Sequence, residues 1–247
     1  MSAFQDLAQT PERVSNVNTL IRAMNRVGYT NPYLQAAILG VVAKESGFIP
    51  QSERSYAGTS NSRIRSIFSS KLGDMPDSQL TALKADPVAF FNKVYGGMYG
   101  NAPNEGYKYR GRGFNQLTFK SAYEGVGIRI GRDLVGNPDL MNNTTVAADA
   151  LVDFFKKRFE SNPNTVKEYS RTSNPNDVQN LNKAVWLAAR ANAGFGKSTS
   201  GSAVQNAVKN TEKYAPAMYA YIGGRKALPF LPLLLIGVGV WYFMRKK

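Results

Sequence analysis

The sequence predicts a mainly α-helical fold with long loops, at most a small β element, and one C-terminal transmembrane helix. Three observations carry this. Helix starts recur in which a capping side chain precedes a proline: Thr10-Pro11, Asn31-Pro32 and Asp86-Pro87. The apolar residues that follow them recur at helical rather than alternating spacing. Finally, Ala227 to Met244 is a run of 18 uncharged residues between Arg225-Lys226 and Arg245-Lys246-Lys247. That length is at the lower edge of what crosses a hydrocarbon layer of about 30 Å, and Trp241 and Tyr242 stand where an interfacial aromatic belt belongs. The expected organisation is a body over residues 1–222, a hinge at 223–226 around Gly223-Gly224, a membrane helix at 227–244 and a basic tail at 245–247.

In order along the chain, Val14, Val17, Leu20, Ile21 and Met24 form the first helical stripe, with Gly28 as its stop. Leu34, Ile38 and Val41 form the second, ended by Gly47. Residues 49–64 are polar and irregular, and contain Glu53 and Tyr56. Short helices are expected near Arg63–Phe68, from Pro76-Asp77 through Leu83, and from Asp86-Pro87 through Tyr95. Gly96, Gly97 and Gly100 then open a loop that runs to Gly113, with strand candidates only around Lys108–Gln116. Phe119, Tyr123 and Val126 suit a short helix, and Asn137-Pro138-Asp139-Leu140 a turn. Thr144 or Thr145 caps a helix bearing Val146, Leu151, Phe154, Phe155 and Phe159. Residues 161–175 read as polar loop, Asn176-Asp177 as the cap of a helix through Val185 and Ala188, and 202–221 as the last helix of the body.

Composition narrows the chemistry. The chain has neither Cys nor His, which excludes a disulfide framework and thiolate or imidazole metal ligands, and leaves acid–base work at neutral pH to carboxylates. No metal or cofactor is expected. The net charge is +14, and residues 1–224 hold 26 bases against 17 acids, a net +9. Such a body is drawn to polyanions. Its bases are scattered and follow no nucleic-acid-binding pattern, so no nucleic acid is expected as partner.

Glu45 continues the stripe of Leu34, Ile38 and Val41 at steps of four, three and four. It is therefore expected on the inward face, in the last helical turn. Partial burial and the negative end of the helix dipole would both favour a protonated carboxyl, the form a general acid requires. The competing reading is a structural ion pair with an Arg or Lys. Asn192, four residues beyond Ala188 and just before Gly194, repeats the arrangement.

Ala43-Lys44-Glu45-Ser46-Gly47-Phe48, Asn92-Lys93-Val94-Tyr95, Tyr109-Arg110-Gly111-Arg112-Gly113, Gln116-Leu117-Thr118, Asn137-Pro138-Asp139-Leu140 and Ala191-Asn192-Ala193-Gly194 together resemble family 19 glycoside hydrolases. These are the plant-type chitinases and related phage endolysins, and the resemblance spans roughly residues 30–200. It implies a lysozyme-like helical domain and an inverting mechanism with two carboxylates. Glu45 matches the acid that protonates the glycosidic oxygen. Glu53 is the best match for the base that activates water, with Glu105 its rival. Such a pair works with its carboxyls roughly 6.5–9.5 Å apart. By the same resemblance Thr118 helps hold the water, and Gln116 and Asn192 bond the substrate's N-acetyl groups or hydroxyls. Tyr109 and Tyr95 either stack on sugar rings or pack in the core. Arg110 and Arg112 are expected to pair with acids, Glu45 or Glu53 among them. Lys44 stands where the family usually has His.

The implied substrate is peptidoglycan, or alternatively chitin. Two other readings are carried alongside: a lytic transglycosylase working through Glu45 alone, and a non-catalytic wall-binding or structural virion protein. No basic, apolar leader opens the chain. The expected setting is therefore a membrane, anchored through residues 227–244. It would be that of a lipid-containing phage particle, with capsid proteins as neighbours, or the host inner membrane.

Overall fold

The computed structural model describes residues 10–226. Its regular structure is helical, and among the described residues β pairing is limited to two isolated bridges, Arg112 with Leu117 and Ser170 with Val178. Helix α1 (Pro11–Arg26) starts where Thr10 Oγ1 accepts from the Arg13 amide. Helix α2 (Pro32–Ser46) starts where Asn31 Oδ1 accepts from the amides of Tyr33 and Leu34, and ends on Gly47 in the left-handed region, φ 57°. Every residue from Leu34 to Val42 is buried, so α2 is the axis of the molecule rather than an amphipathic surface helix.

Around α2 pack α1, α10 (Leu181–Ala193) and α11 (Ser202–Lys226), while α8 (Thr144–Glu160) lies against α1. Gly40 decides how close α11 can come. A Cβ there would sit 3.0 Å from the Thr211 carbonyl oxygen and 3.2 Å from the Ala215 nitrogen. The glycine thus lets two helix backbones touch, and α2 is fixed at mid-length.

Two smaller cores adjoin this one. Helices α3 (Asn61–Ile67), α4 (Ser69–Leu72), α5 (Asp77–Ala85) and α6 (Pro87–Tyr95) enclose Ile64, Leu72, Leu80, Phe90, Phe91 and Val94. Tyr109, Tyr123, Val126, Leu134, Met141 and Val146 form the other. It lies beneath residues 96–119 and α7 (Lys120–Ile130), which precedes a 3-10 turn at Pro138–Asn142. Of the catalytic candidates, Glu45 lies in the last turn of α2, while Glu53 lies on the chain between α2 and α3.

Several expectations are corrected. The stretch 161–175 is not all loop: Pro163, at the first position of its helix, starts α9 (Pro163–Tyr169). Asn176-Asp177 close a 3-10 turn, and Asn180 rather than Asn176 caps α10, its side chain accepting from the Lys183 amide. Asn143, not Thr144 or Thr145, caps α8. Gly223 and Gly224 lie within α11. The fold class is corrected on its membrane element: among the described residues no helix is long and apolar enough to cross a membrane. Although α11 runs for 25 residues, it carries Lys209, Glu212 and Lys213 along its length. The anticipated span at 227–244 lies outside the described residues.

Candidate active site

Glu45 occupies the last turn of α2 and is exposed, not partly buried as its spacing suggests. The stripe that carries Leu34, Ile38 and Val41 inward reaches the surface where the helix ends. Its Oε1 accepts from Asn192 Nδ2 at 3.4 Å, so the last turns of α2 and α10 meet there. No ion pair to Glu45 occurs among the described residues. Beyond Gly47 the chain turns through Phe48, buried and at φ 65°. The Phe48 carbonyl accepts from Asn16 Nδ2 at 2.9 Å, and Asn16 Oδ1 accepts from Thr144 Oγ1 at 3.0 Å. A side chain on α1 and another on α8 thereby set the path that leads from one acid to the next.

Glu53 lies on that path and is half-buried. Three groups donate to its carboxylate: the Tyr56 and Tyr95 hydroxyls to Oε1 at 2.9 and 3.0 Å, and the Gly111 amide to Oε2 at 3.2 Å. Its own amide donates to the Gly111 carbonyl at 2.7 Å. All three donors are neutral, and among the described residues no Lys or Arg forms an ion pair with it. The tyrosines register the carboxylate in turn. Burial first, and then the Glu53 charge, push both hydroxyls above the ordinary tyrosine range.

The turn Arg112–Leu117 closes on itself through paired backbone bonds of 3.1 and 2.8 Å. Gln116 at its tip has φ 52°. A non-glycine residue in this region carries strain that its surroundings must hold in place. Here Gln116 Nε2 donates to the carbonyls of Gln51 and Gly113 at 2.9 and 3.2 Å. Thr118 Oγ1 donates to the Gln116 carbonyl at 2.9 Å. Gly111 has no room for a side chain, since a Cβ would meet Gln116 Oε1 at 2.9 Å and Glu53 Oε2 at 3.2 Å. Gln116, Gly111 and Glu53 are thus immediate neighbours, while Asn192 and Glu45 pair at the end of α2.

Other candidates are placed differently. The Tyr109 ring is fully buried against Tyr123, and its hydroxyl donates to the Val135 carbonyl at 3.1 Å; of its two readings, core packing holds. The Tyr95 ring stacks on Phe91 at 5.8 Å while its hydroxyl serves Glu53. Arg112 pairs with Asp139 at 2.8 Å instead of with either glutamate, and Arg110 lies over the Tyr107 ring at 4.0 Å. Glu105 accepts from the Ala102 amide and from Lys120 Nζ, and these hold its carboxyl below the usual range. Its charge is already matched. Sequence reasoning missed the hydroxyl donors to Glu53, because nothing in the spacing of Tyr56 and Tyr95 reports on a shared acceptor 42 residues away from Tyr95.

Arg190 was also missed. It is buried, pairs with Glu168 at 2.8 Å, and donates to the Phe195 carbonyl at 3.2 Å, which braces the turn beside Asn192. A cavity of about 380 Å³ borders the Gln116 turn at Asn115 and Leu117 and reaches Arg129, Asp153 and Lys157; neither Glu45 nor Glu53 lines it.

The sequence profile of glycosyl hydrolase family 19, described as chitinase class I, matches residues 94–196. A glycosyl hydrolase family 19 domain-containing protein of Haemophilus influenzae is 31% identical over 174 residues, which cover 66% of this chain and 82% of that protein.

Proposed function

The chain belongs to glycosyl hydrolase family 19 and is a glycoside hydrolase acting on glycan polymers; from that premise we propose that it cleaves peptidoglycan strands with inversion, using Glu45 as acid and Glu53 as base. The observation that carries this reading is the set of three neutral donors on Glu53. An ion-paired carboxylate such as Glu105 is already neutralised by its partner. A carboxylate held by hydroxyls and an amide is fixed in place with its charge uncancelled, as a base requires.

In this mechanism water donates a proton to Glu53 as its oxygen bonds to the anomeric carbon. The bond to the glycosidic oxygen breaks on the opposite face, and that oxygen takes the proton of Glu45. Glu45 is exposed at the end of α2, where a bound sugar can reach its carboxyl. Gln116, Thr118 and Asn192 position substrate and water around the pair. Peptidoglycan is preferred to chitin because the described body lies within a stretch of net charge +9, which attracts an anionic wall more than a neutral polymer.

The test is hydrolysis of purified peptidoglycan and of chitin by the full chain and by Glu45→Gln and Glu53→Gln. Each substitution is expected to lower kcat by about 10²–10⁴-fold, and NMR is expected to show the inverted anomer first. A retained anomer or anhydro-sugar ends would overturn the two-acid mechanism. Faster cleavage of chitin would overturn the substrate.

A further inference from the structure

Four described residues other than glycine have positive φ: Phe48, Tyr99, Gln116 and Phe119. Three of them are buried or half-buried. Tyr99 is 66% exposed, at φ 44°, between Gly97 and Gly100, which have φ 70° and 86°. A left-handed conformation is unfavourable for a bulky residue but not for glycine, and an exposed ring recovers little of that cost by packing. The conformation is nevertheless locked. Buried Asn101 donates to the Tyr95 carbonyl at 2.9 Å and accepts from the Lys120 amide at 2.8 Å, while the Tyr99 carbonyl accepts from the Ser121 amide at 3.1 Å.

What the lock presents is an aromatic face. The Tyr99 ring leans on Phe119, centroids 4.8 Å apart, and Phe119 in turn meets Tyr95 at 5.3 Å. The Tyr95 hydroxyl is bound to Glu53. Three rings therefore lead from the surface to the carboxylate, the outermost held outward at a conformational cost. We propose that Tyr99 is a substrate-binding residue, its exposed face stacking on a pyranose ring of the glycan at a position removed from the cleaved bond. The face of an aromatic ring is electron-rich, and the C–H face of a pyranose is apolar and positively polarised, so the two match. This rests on the reading of Glu53 as part of the hydrolytic site.

The test measures KM, kcat and Tm of the full chain and of Tyr99→Ala, Tyr99→Gly, Tyr99→Phe and Tyr99→Trp. The substrates are long soluble strands of peptidoglycan and long chitin oligosaccharides, and the comparison uses whichever polymer the wild type hydrolyses. Both ring-less variants are expected to raise KM about three- to tenfold with kcat unchanged, and Phe and Trp to keep the wild-type KM. Tyr99→Gly, relieved of backbone strain, is expected to melt a few degrees above Tyr99→Ala. Thermal stability and affinity thus separate the backbone from the ring. An unchanged KM in both ring-less variants, or a loss in Tyr99→Phe equal to that in Tyr99→Ala, would overturn the stacking role and leave the hydrolytic site standing. A wild type inactive on both polymers would sink both.

Discussion

Replacing Tyr95 by Phe removes one oxygen atom and little else. The ring keeps its stack on Phe91 at 5.8 Å and its edge contact with Phe119 at 5.3 Å, so the substitution isolates the 3.0 Å bond to Glu53 Oε1. A hydrogen bond to a charged acceptor contributes about 1.5–3 kcal/mol. Two donors remain, from Tyr56 and Gly111, so the carboxylate loses orientation rather than its seat. If Glu53 is the base, that loss falls on the transition state. The expected result is a kcat about ten- to a hundredfold lower with KM nearly unchanged. Steady-state hydrolysis on soluble glycan strands measures this. Denaturation of Tyr95→Phe, Glu53→Gln and the double variant completes the cycle, where coupling of the two residues appears as non-additivity. A wild-type kcat in Tyr95→Phe would refute the reasoning, since a donor only 3.0 Å from the base could not then be irrelevant to it.

Gly111→Ala is expected to abolish most activity while the fold survives, because its methyl group would press on Gln116 Oε1 and Glu53 Oε2; circular dichroism alongside kinetics checks both parts. Glu105→Gln is expected to leave kcat within about fivefold of wild type, because its partner Lys120 and the Ala102 amide mark it as a brace of the loop; a loss matching that of Glu53→Gln would make it the base. Tyr29, Tyr56 and Tyr95 all have hydroxyls raised above the ordinary value of 10.0, chiefly by burial. The folded state therefore holds these protons more tightly than the unfolded chain. Their contribution is fully present below pH 10 and is lost as pH rises above it. Chemical denaturation across that range should show stability falling by up to about 1.4 kcal/mol per pH unit for each tyrosine, with a shallower fall in Tyr95→Phe.

The helical body was legible because its starts are written locally. Pro32 and Pro87 begin their helices behind Asn31 and Asp86, as cap chemistry requires. The candidate residues could be named from the sequence, but not the way they are arranged. Glu45 and Asn192 were expected at two helix exits, and the structure brings them into contact. Periodicity placed Glu45 inward, but it cannot register that a helix surfaces before its last turn, so the burial expected of it was wrong. Arg112 was expected to pair with an acid and does so, though with Asp139, which follows Pro138 in a 3-10 turn, rather than with Glu45 or Glu53. Tyr56 and Tyr95 converge on Glu53 only through tertiary packing, which no local pattern encodes. Nor does a sequence announce that Gln116, Phe119 and Tyr99 adopt a conformation usually left to glycine.

Two of the three ligands of Glu53 belong to the aromatic group built from α3 to α6, which has an interior of its own around Phe90 and Phe91. A small interior of that kind is suited to opening as a unit at a lower free energy than the helices gathered on α2. Warming would then silence the enzyme while most of its ellipticity persists. Inactivation and global melting would part company by several degrees, and the temperature at which this protein ceases to work would be set by its lesser half.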